Sequence, residues 1–257
     1  MLIPAKELIQ KTIDIYKENF KLFFSYVIAL FIPTGIITIL STFVKEFAAS
    51  DSARDAMIFN GYFVLLLASW FATFWITASF IRVFYAKYNG KEVRDIKTEL
   101  SNVKHVLIPA ILASILSTLI IIVGYILFII PGVIFSIWYF FTLHEAVINE
   151  KKVVEAIKSS KELVKGRWWA VLWRLFASIL IFAILMLIIG GLVGGILGLL
   201  TSGIDETSSV YTFALIMSSL ITSFVSILFI PLTNGAPIIL FTELQKTPKV
   251  AEITQKQ

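Results

Sequence analysis

The sequence predicts an all-α integral membrane protein: six transmembrane helices arranged as three hairpins, each hairpin preceded by a cytoplasmic amphipathic helix. Three observations carry this prediction. Of the 257 residues, 58% are hydrophobic and 15% charged, with a mean hydropathy of +0.89, whereas a soluble domain carries about 25% charged residues. Six apolar runs reach or approach the ~20 residues that cross a hydrocarbon core of about 30 Å at 1.5 Å per residue. Lys and Arg also fall on alternate connections between those runs.

In chain order, residues 4–19 form the first amphipathic helix, because Ala5, Leu8, Ile9, Thr12, Ile13, Tyr16 and Phe20 recur at the helical period with charges between them. The apolar run behind it is longer than the core of a leader peptide, so cleavage near Ala48-Ala49 is not expected. Spans follow at about 20–43 and 58–85. Residues 91–104 repeat the amphipathic pattern with Val93, Ile96, Leu100 and Val103. The third and fourth spans, 106–130 and 132–147, come from one long apolar stretch divided at Pro131-Gly132, a turn signal. The fourth is short if it ends at Leu143, and continuing it through His144-Glu145 restores a crossing length. Residues 151–165 form the third amphipathic helix on Val153, Ala156, Ile157, Leu163 and Val164. The last two spans lie at about 175–200 and 210–241.

Helix plus hairpin recurs three times. Asn89-Gly90-Lys91-Glu92-Val93 is similar to Asn149-Glu150-Lys151-Lys152-Val153, and Asp14-Ile15, Glu99-Leu100 and Glu162-Leu163 each precede an odd-numbered span. Two readings stand side by side: an internal repeat, and segments that are amphipathic because they rest on a bilayer surface.

Orientation follows from the cations. Twenty of the 22 Lys and Arg lie at the N-terminus, the second-to-third and fourth-to-fifth connections and the tail, while only Lys45 and Arg54 lie on the other side. Positive residues stay in the cytoplasm, so both termini of a multi-pass cell (inner) membrane protein are expected there.

Several function classes are excluded. The net charge of +5 is spread over short connections, not over one face of a soluble module, so nucleic acid is not an expected partner. With no cysteine and only His105 and His144, neither a metal site nor a cofactor is expected. The six apolar cores hold no Asp, Glu, Lys, Arg or His; Arg82, Glu145, Arg174 and Glu243 lie near span ends. That disfavours a proton or sodium relay.

At Ile130-Pro131-Gly132, the span ending His144-Glu145, and Glu155-Ala156-Ile157-Lys158-Ser159-Ser160-Lys161-Glu162-Leu163-Val164-Lys165-Gly166-Arg167-Trp168-Trp169, the chain resembles a bacterial and archaeal family of six-span membrane proteins. The family pattern is a Pro-Gly turn, an acidic residue at the span end, an Ala and a Ser four apart, and Leu-x-Lys-Gly-x-Trp before the next span. The family includes the membrane domain of certain glycerophosphodiester phosphodiesterases and related uncharacterised envelope proteins. The similarity extends from Leu127 to Gln245, with a family proline corresponding to Pro231 or Pro237. It implies a six-span fold. In fused members the phosphodiester chemistry belongs to a separate soluble barrel, for whose metal-binding carboxylates and paired histidines these 257 residues hold no counterpart. His144 and Glu145 alone make neither a metal triad nor an acid/base pair, so no catalytic residue is expected.

Four groups of residues are candidates for function. Lys151, Lys152, Lys158, Lys161, Lys165 and Arg167, followed by Trp168, Trp169 and Trp173, suit anionic headgroups beside an aromatic belt, or simple anchoring under the positive-inside rule. Ser159 and Ser160, in the same helix, are open to modification or to a crowded helix junction. Pro231-Leu232-Thr233-Asn234-Gly235-Ala236-Pro237 removes two backbone donors and offers Thr233 and Asn234, as a kink or as part of a conduit, with Pro33-Thr34-Gly35 as a counterpart. Gly190, Gly194 and Gly198 bare one helix face, for packing within the monomer or for self-association. The expected function is a non-enzymatic accessory or scaffold protein that contacts anionic phospholipid and another envelope protein or a second copy. The alternative is a passive or gated conduit for a small neutral solute or lipid.

Overall fold

Local chemistry sets the helix ends. The chain leaves its third helix through Gly90, whose φ of +69° only glycine adopts readily, with Lys91 N–H bonded to Ala86 O at 2.9 Å. A new helix starts where Asp95 accepts from Thr98 N–H at 3.2 Å and from the Thr98 hydroxyl at 2.8 Å. The computed structural model describes residues 2–47, 53–205 and 208–247; Ala48, Ala49, Asp51, Glu206, Lys249 and Lys256 lie outside them. Among the described residues every regular element is helical. The helices are α1 (Ala5–Glu18), α2 (Phe20–Phe47), α3 (Ala53–Tyr88), α4 (Ile96–Asn102), α5 (Lys104–Leu127), α6 (Ile129–Tyr139), α7 (Thr142–Ile148), α8 (Val153–Val164), α9 (Trp168–Thr201), α10 (Ser209–Leu228) and α11 (Ile230–Lys246).

Six segments are long and apolar enough to cross a membrane: Phe20–Val44, Met57–Tyr88, Lys104–Leu127, Ile129–Ile148, Trp168–Thr201 and Ser209–Lys246. Several limits differ from the sequence expectation. The third and fourth segments part at Phe128 (φ −165°, ψ 158°), not at Pro131-Gly132. Proline needs no N–H partner in the first turn of a helix, so Pro131 helps to start α6. The helix expected at 91–104 is confined to Ile96–Asn102 before α5, because the residue that caps a helix is itself non-helical and that residue is Asp95. The last segment divides at Phe229, and Pro231 sits in the first turn of α11 while Pro237 lies inside it. Pro33 lies within α2.

The chain forms two compact units: Met1–Phe20, Ala78–Ile181 and Leu232–Gln257 in the first, Lys21–Thr77 and Phe182–Pro231 in the second. In the first, Leu8, Phe84, Phe141, Val147, Ala156, Val164 and Leu240 are buried. Gly235 is needed there, since a Cβ would come 2.5 Å from the Phe84 ring and 2.9 Å from Thr12 Cγ2. Helix α1 turns Leu8 and Thr12 inward and leaves Lys6, Glu7, Gln10, Asp14, Lys17 and Glu18 exposed. In the second unit, Val27, Leu30 and Ile227 form a cluster with Phe24, Phe31, Ile76 and Phe224 around it. Phe31 and Phe224 meet edge-on at 5.2 Å.

Candidate functional site

Within the first unit, α5 and α6 close tightly through two glycines. A Cβ on Gly124 would lie 2.7 Å from the Phe135 ring and 3.1 Å from Gly132 Cα, and one on Gly132 would overlap Tyr125. Helix α8 packs against this pair. Ser160 is fully buried and joins it at the break between α6 and α7: Phe141 N–H donates to Ser160 Oγ at 3.1 Å, and Ser160 Oγ donates to Trp138 O at 2.8 Å. Of the two readings open for Ser160, the structure thus realises the helix junction.

Ser159 accepts from Lys151 Nζ at 2.8 Å, and the same ammonium lies 3.0 Å from Glu145, whose carboxylate is buried and also accepts from Asn149 at 2.7 Å. Next to it, Glu150 binds Arg82 at 2.9 Å and His105 at 3.1 Å. The hydrogen bond from His105, followed by that from Arg82, holds the Glu150 carboxyl below the ordinary carboxylate range. Neighbouring His144 is buried among the rings of Phe140, Phe141 and Phe241.

The lysine and tryptophan candidates divide by environment. Lys152, Lys158 and Lys165 are exposed. Lys161 places its ammonium 4.5 Å from the centre of the Trp138 ring, a cation–π contact. Arg167 is committed elsewhere: it donates to Leu163 O at 3.1 Å, Leu244 O at 2.8 Å and Thr247 O at 2.9 Å, closing the C-terminal end of α11. Its guanidinium is thus bonded within the fold, as is the ammonium of Lys151. Trp168 Nε1 reaches Ile134 O at 3.4 Å, while Trp169 is 77% exposed.

These elements enclose a groove of about 510 Å³. One face of α6, formed by Ile129, Ile130, Val133, Ile134 and Trp138, makes its floor; Gly166, Trp168 and Trp169 make the wall, and Lys165 stands at the rim. Gly166 has φ +84°, so only glycine turns the chain there without strain. The α6 residues of this groove escaped the sequence reading, since a helix apolar all round offers no contrast to mark one face.

In the second unit, hydroxyls line a groove of about 500 Å³: Thr34 from α2, and Ser218, Ser219, Thr222, Ser223 and Ser226 from α10. Thr34, Thr222 and Ser226 donate to carbonyls of their own helices at 2.9, 2.8 and 2.9 Å. The five α10 residues were not among the sequence candidates, although their spacing of i, i+1, i+4, i+5 and i+8 is legible. Pro231 is buried in this unit. Thr233 and Asn234, half-buried, and Pro237, buried, belong to the first. At Gly190, Gly194 and Gly198 no described atom comes within 4 Å of an added Cβ.

A sequence profile described as the membrane domain of glycerophosphoryl diester phosphodiesterase matches residues 96–252. The chain belongs to this membrane-domain family. The match takes in α4 to α11, and with them both grooves except for Thr34. The profile is that of a membrane domain, not of a catalytic one. No curated protein and no solved structure matches the chain. Among the described residues of this family member, no group of three His, Asp or Glu could hold a metal ion.

Proposed function

We propose that this family member is a non-enzymatic accessory protein of the cell membrane that holds anionic phospholipid at the groove between α6 and the α8–α9 turn. The observation that carries this reading is the groove itself: an apolar trough of about 510 Å³ with indole walls and a single cation, Lys165, at its rim. An acyl chain suits the trough and a phosphate suits the lysine. Lys161 and Lys158 lie on α8, one and two turns before Lys165, and add positive charge. The placement of 20 of the 22 cations supports cytoplasmic termini. The open glycine face of α9 suits a helix of a partner envelope protein or of a second copy.

The test is native mass spectrometry of protein released from nanodiscs of phosphatidylcholine and phosphatidylglycerol. Each cation near an anionic surface contributes about 1 kcal/mol, so Lys161→Gln with Lys165→Gln should lower phosphatidylglycerol retention roughly tenfold or more. Unchanged retention would sink the reading.

The hydroxyl groove between α2 and α10 favours a second reading, a conduit for a small neutral solute. It offers five serine and threonine hydroxyls on α10 and one on α2, and no charge. Thr222→Leu should then slow glycerol entry into proteoliposomes. Glycerol entry no faster than in protein-free liposomes excludes this function.

A further inference from the structure

Three features of the first unit bear on how the α5–α6 pair meets a bilayer. At the turn, Leu127, Phe128, Ile129 and Ile130 are 59, 75, 74 and 73% exposed. Between Thr118 and Ser136, Tyr125 carries the one polar side chain. A turn that joined two crossing helices would emerge in water, where these four side chains would form a solvated apolar patch.

The segment from α8 into the start of α9 runs beside α6, not beyond its end. Ser160 bonds Trp138 O near the end of α6 at 2.8 Å, Trp168 Nε1 reaches Ile134 O in its middle at 3.4 Å, and Lys165 and Gly166 border the same groove as Ile129 and Ile130 at its start. The outer face of α8 and its flanks exposes Lys152, Glu155, Lys158, Glu162 and Lys165. Such a face stays in the headgroup and water layer, because charge is costly in hydrocarbon. A turn that borders Lys165 cannot also lie across a hydrocarbon layer of about 30 Å.

We propose that the α5–α6 hairpin is a one-leaflet wedge. It enters the bilayer from the face on which α8 lies, seats its tip at Leu127–Ile130 among the acyl chains of that same leaflet, and returns without crossing. Lys158, Lys161 and Lys165 complement anionic headgroups of the leaflet that receives the tip. The turn is built for such a place. Phe128 N–H donates to Gly124 O at 3.1 Å, Gly132 N–H donates to Phe128 O at 3.2 Å, and Pro131 has no N–H to leave unpaired. The Tyr125 hydroxyl has the Ser136 hydroxyl 3.3 Å away. Re-entry keeps the parity of crossings, so the distribution of cations suits four crossing helices as well as six. The wedge stands whether or not the adjoining groove retains anionic lipid.

The chain has no cysteine, so single-cysteine variants of the full protein give unambiguous labelling. Phe128→Cys and Ile130→Cys report the tip, Lys158→Cys the face of α8, and Ser202→Cys the α9–α10 connection. Both tip side chains are largely exposed, so their replacement removes little internal packing. In oriented proteoliposomes, an impermeant maleimide added to either side should label the tip variants at least tenfold more slowly than the reference on that side. Bimane on Phe128→Cys should be quenched by nitroxide lipid confined to the leaflet on the Lys158 side. Labelling from the Ser202 side at the Ser202→Cys rate, or quenching from that leaflet, would show a crossing hairpin and overturn the proposal. Labelling from the Lys158 side at the Lys158→Cys rate would place the tip in water and overturn it equally.

Discussion

The Ser160 hydroxyl donates to the Trp138 carbonyl oxygen at 2.8 Å. Ser160 Oγ in turn accepts the Phe141 N–H at 3.1 Å, so one side chain of α8 satisfies two backbone groups released where α6 gives way to α7. Leaving buried polar groups unpaired costs about 1–3 kcal/mol each. Ser160→Ala should lower the thermal unfolding midpoint in detergent clearly, and Ser159→Ala, at a hydroxyl that meets only the Lys151 side chain, should lower it less. Equal midpoints for the two variants would remove this role from Ser160.

Arg167 ties the α8–α9 turn to the end of α11 through the carbonyls of Leu244 and Thr247. Lysine lacks the planar fork that reaches several acceptors at once. Arg167→Lys should destabilise the protein by about 1–2 kcal/mol and speed amide exchange at residues 244–247, while anionic-lipid retention stays at the wild-type level. A loss of lipid as large as that caused by Lys165→Gln would assign Arg167 to the headgroup after all.

Two glycine substitutions should behave oppositely. Gly235→Ala forces a methyl against Phe84 and Thr12, and overpacking of this kind costs about 1–3 kcal/mol. Gly194→Ala meets no described atom within 4 Å and gains up to about 1 kcal/mol of helix propensity. Thermal unfolding of the two variants under one detergent condition checks the order.

Acid should weaken the Arg82–Glu150–His105 junction. The carboxyl of Glu150 is held below its ordinary value by its hydrogen bonds with His105 and Arg82. Its contribution is therefore complete above the unfolded carboxylate value of about 4.3 and is lost as pH falls through the depressed folded value. Glu150→Gln should flatten the fall in unfolding midpoint over that acid range. A wild-type acid profile in this variant would show that another carboxylate governs it.

Much of the fold could be read locally. The apolar runs are long, and helix α8 (Val153–Val164) lies within one or two residues of the expected 151–165, because composition and 3.6-residue periodicity act over neighbouring residues. The turn before Pro131 was displaced in the sequence reading for a definable reason. Proline both ends helices and begins them, and only the conformation of Phe128 shows which role applies. The candidate site was half legible: Lys165, Trp168 and Trp169 carried a signal, whereas Ile129, Ile130, Val133 and Ile134 sit in an unbroken apolar sequence.

The sequence by itself determined that this chain is a helical membrane protein, where its charges cluster, and which residues resemble the membrane-domain family, since each follows from residue type and short-range order. Only the tertiary structure decided that Arg167 serves carbonyls at the end of α11, that no described atom lies within 4 Å of a Cβ added at Gly190, Gly194 or Gly198, and that Lys165 and Gly166 border the groove of apolar α6. Those facts depend on contacts between residues far apart in the chain, and packing geometry, not local propensity, selects among them.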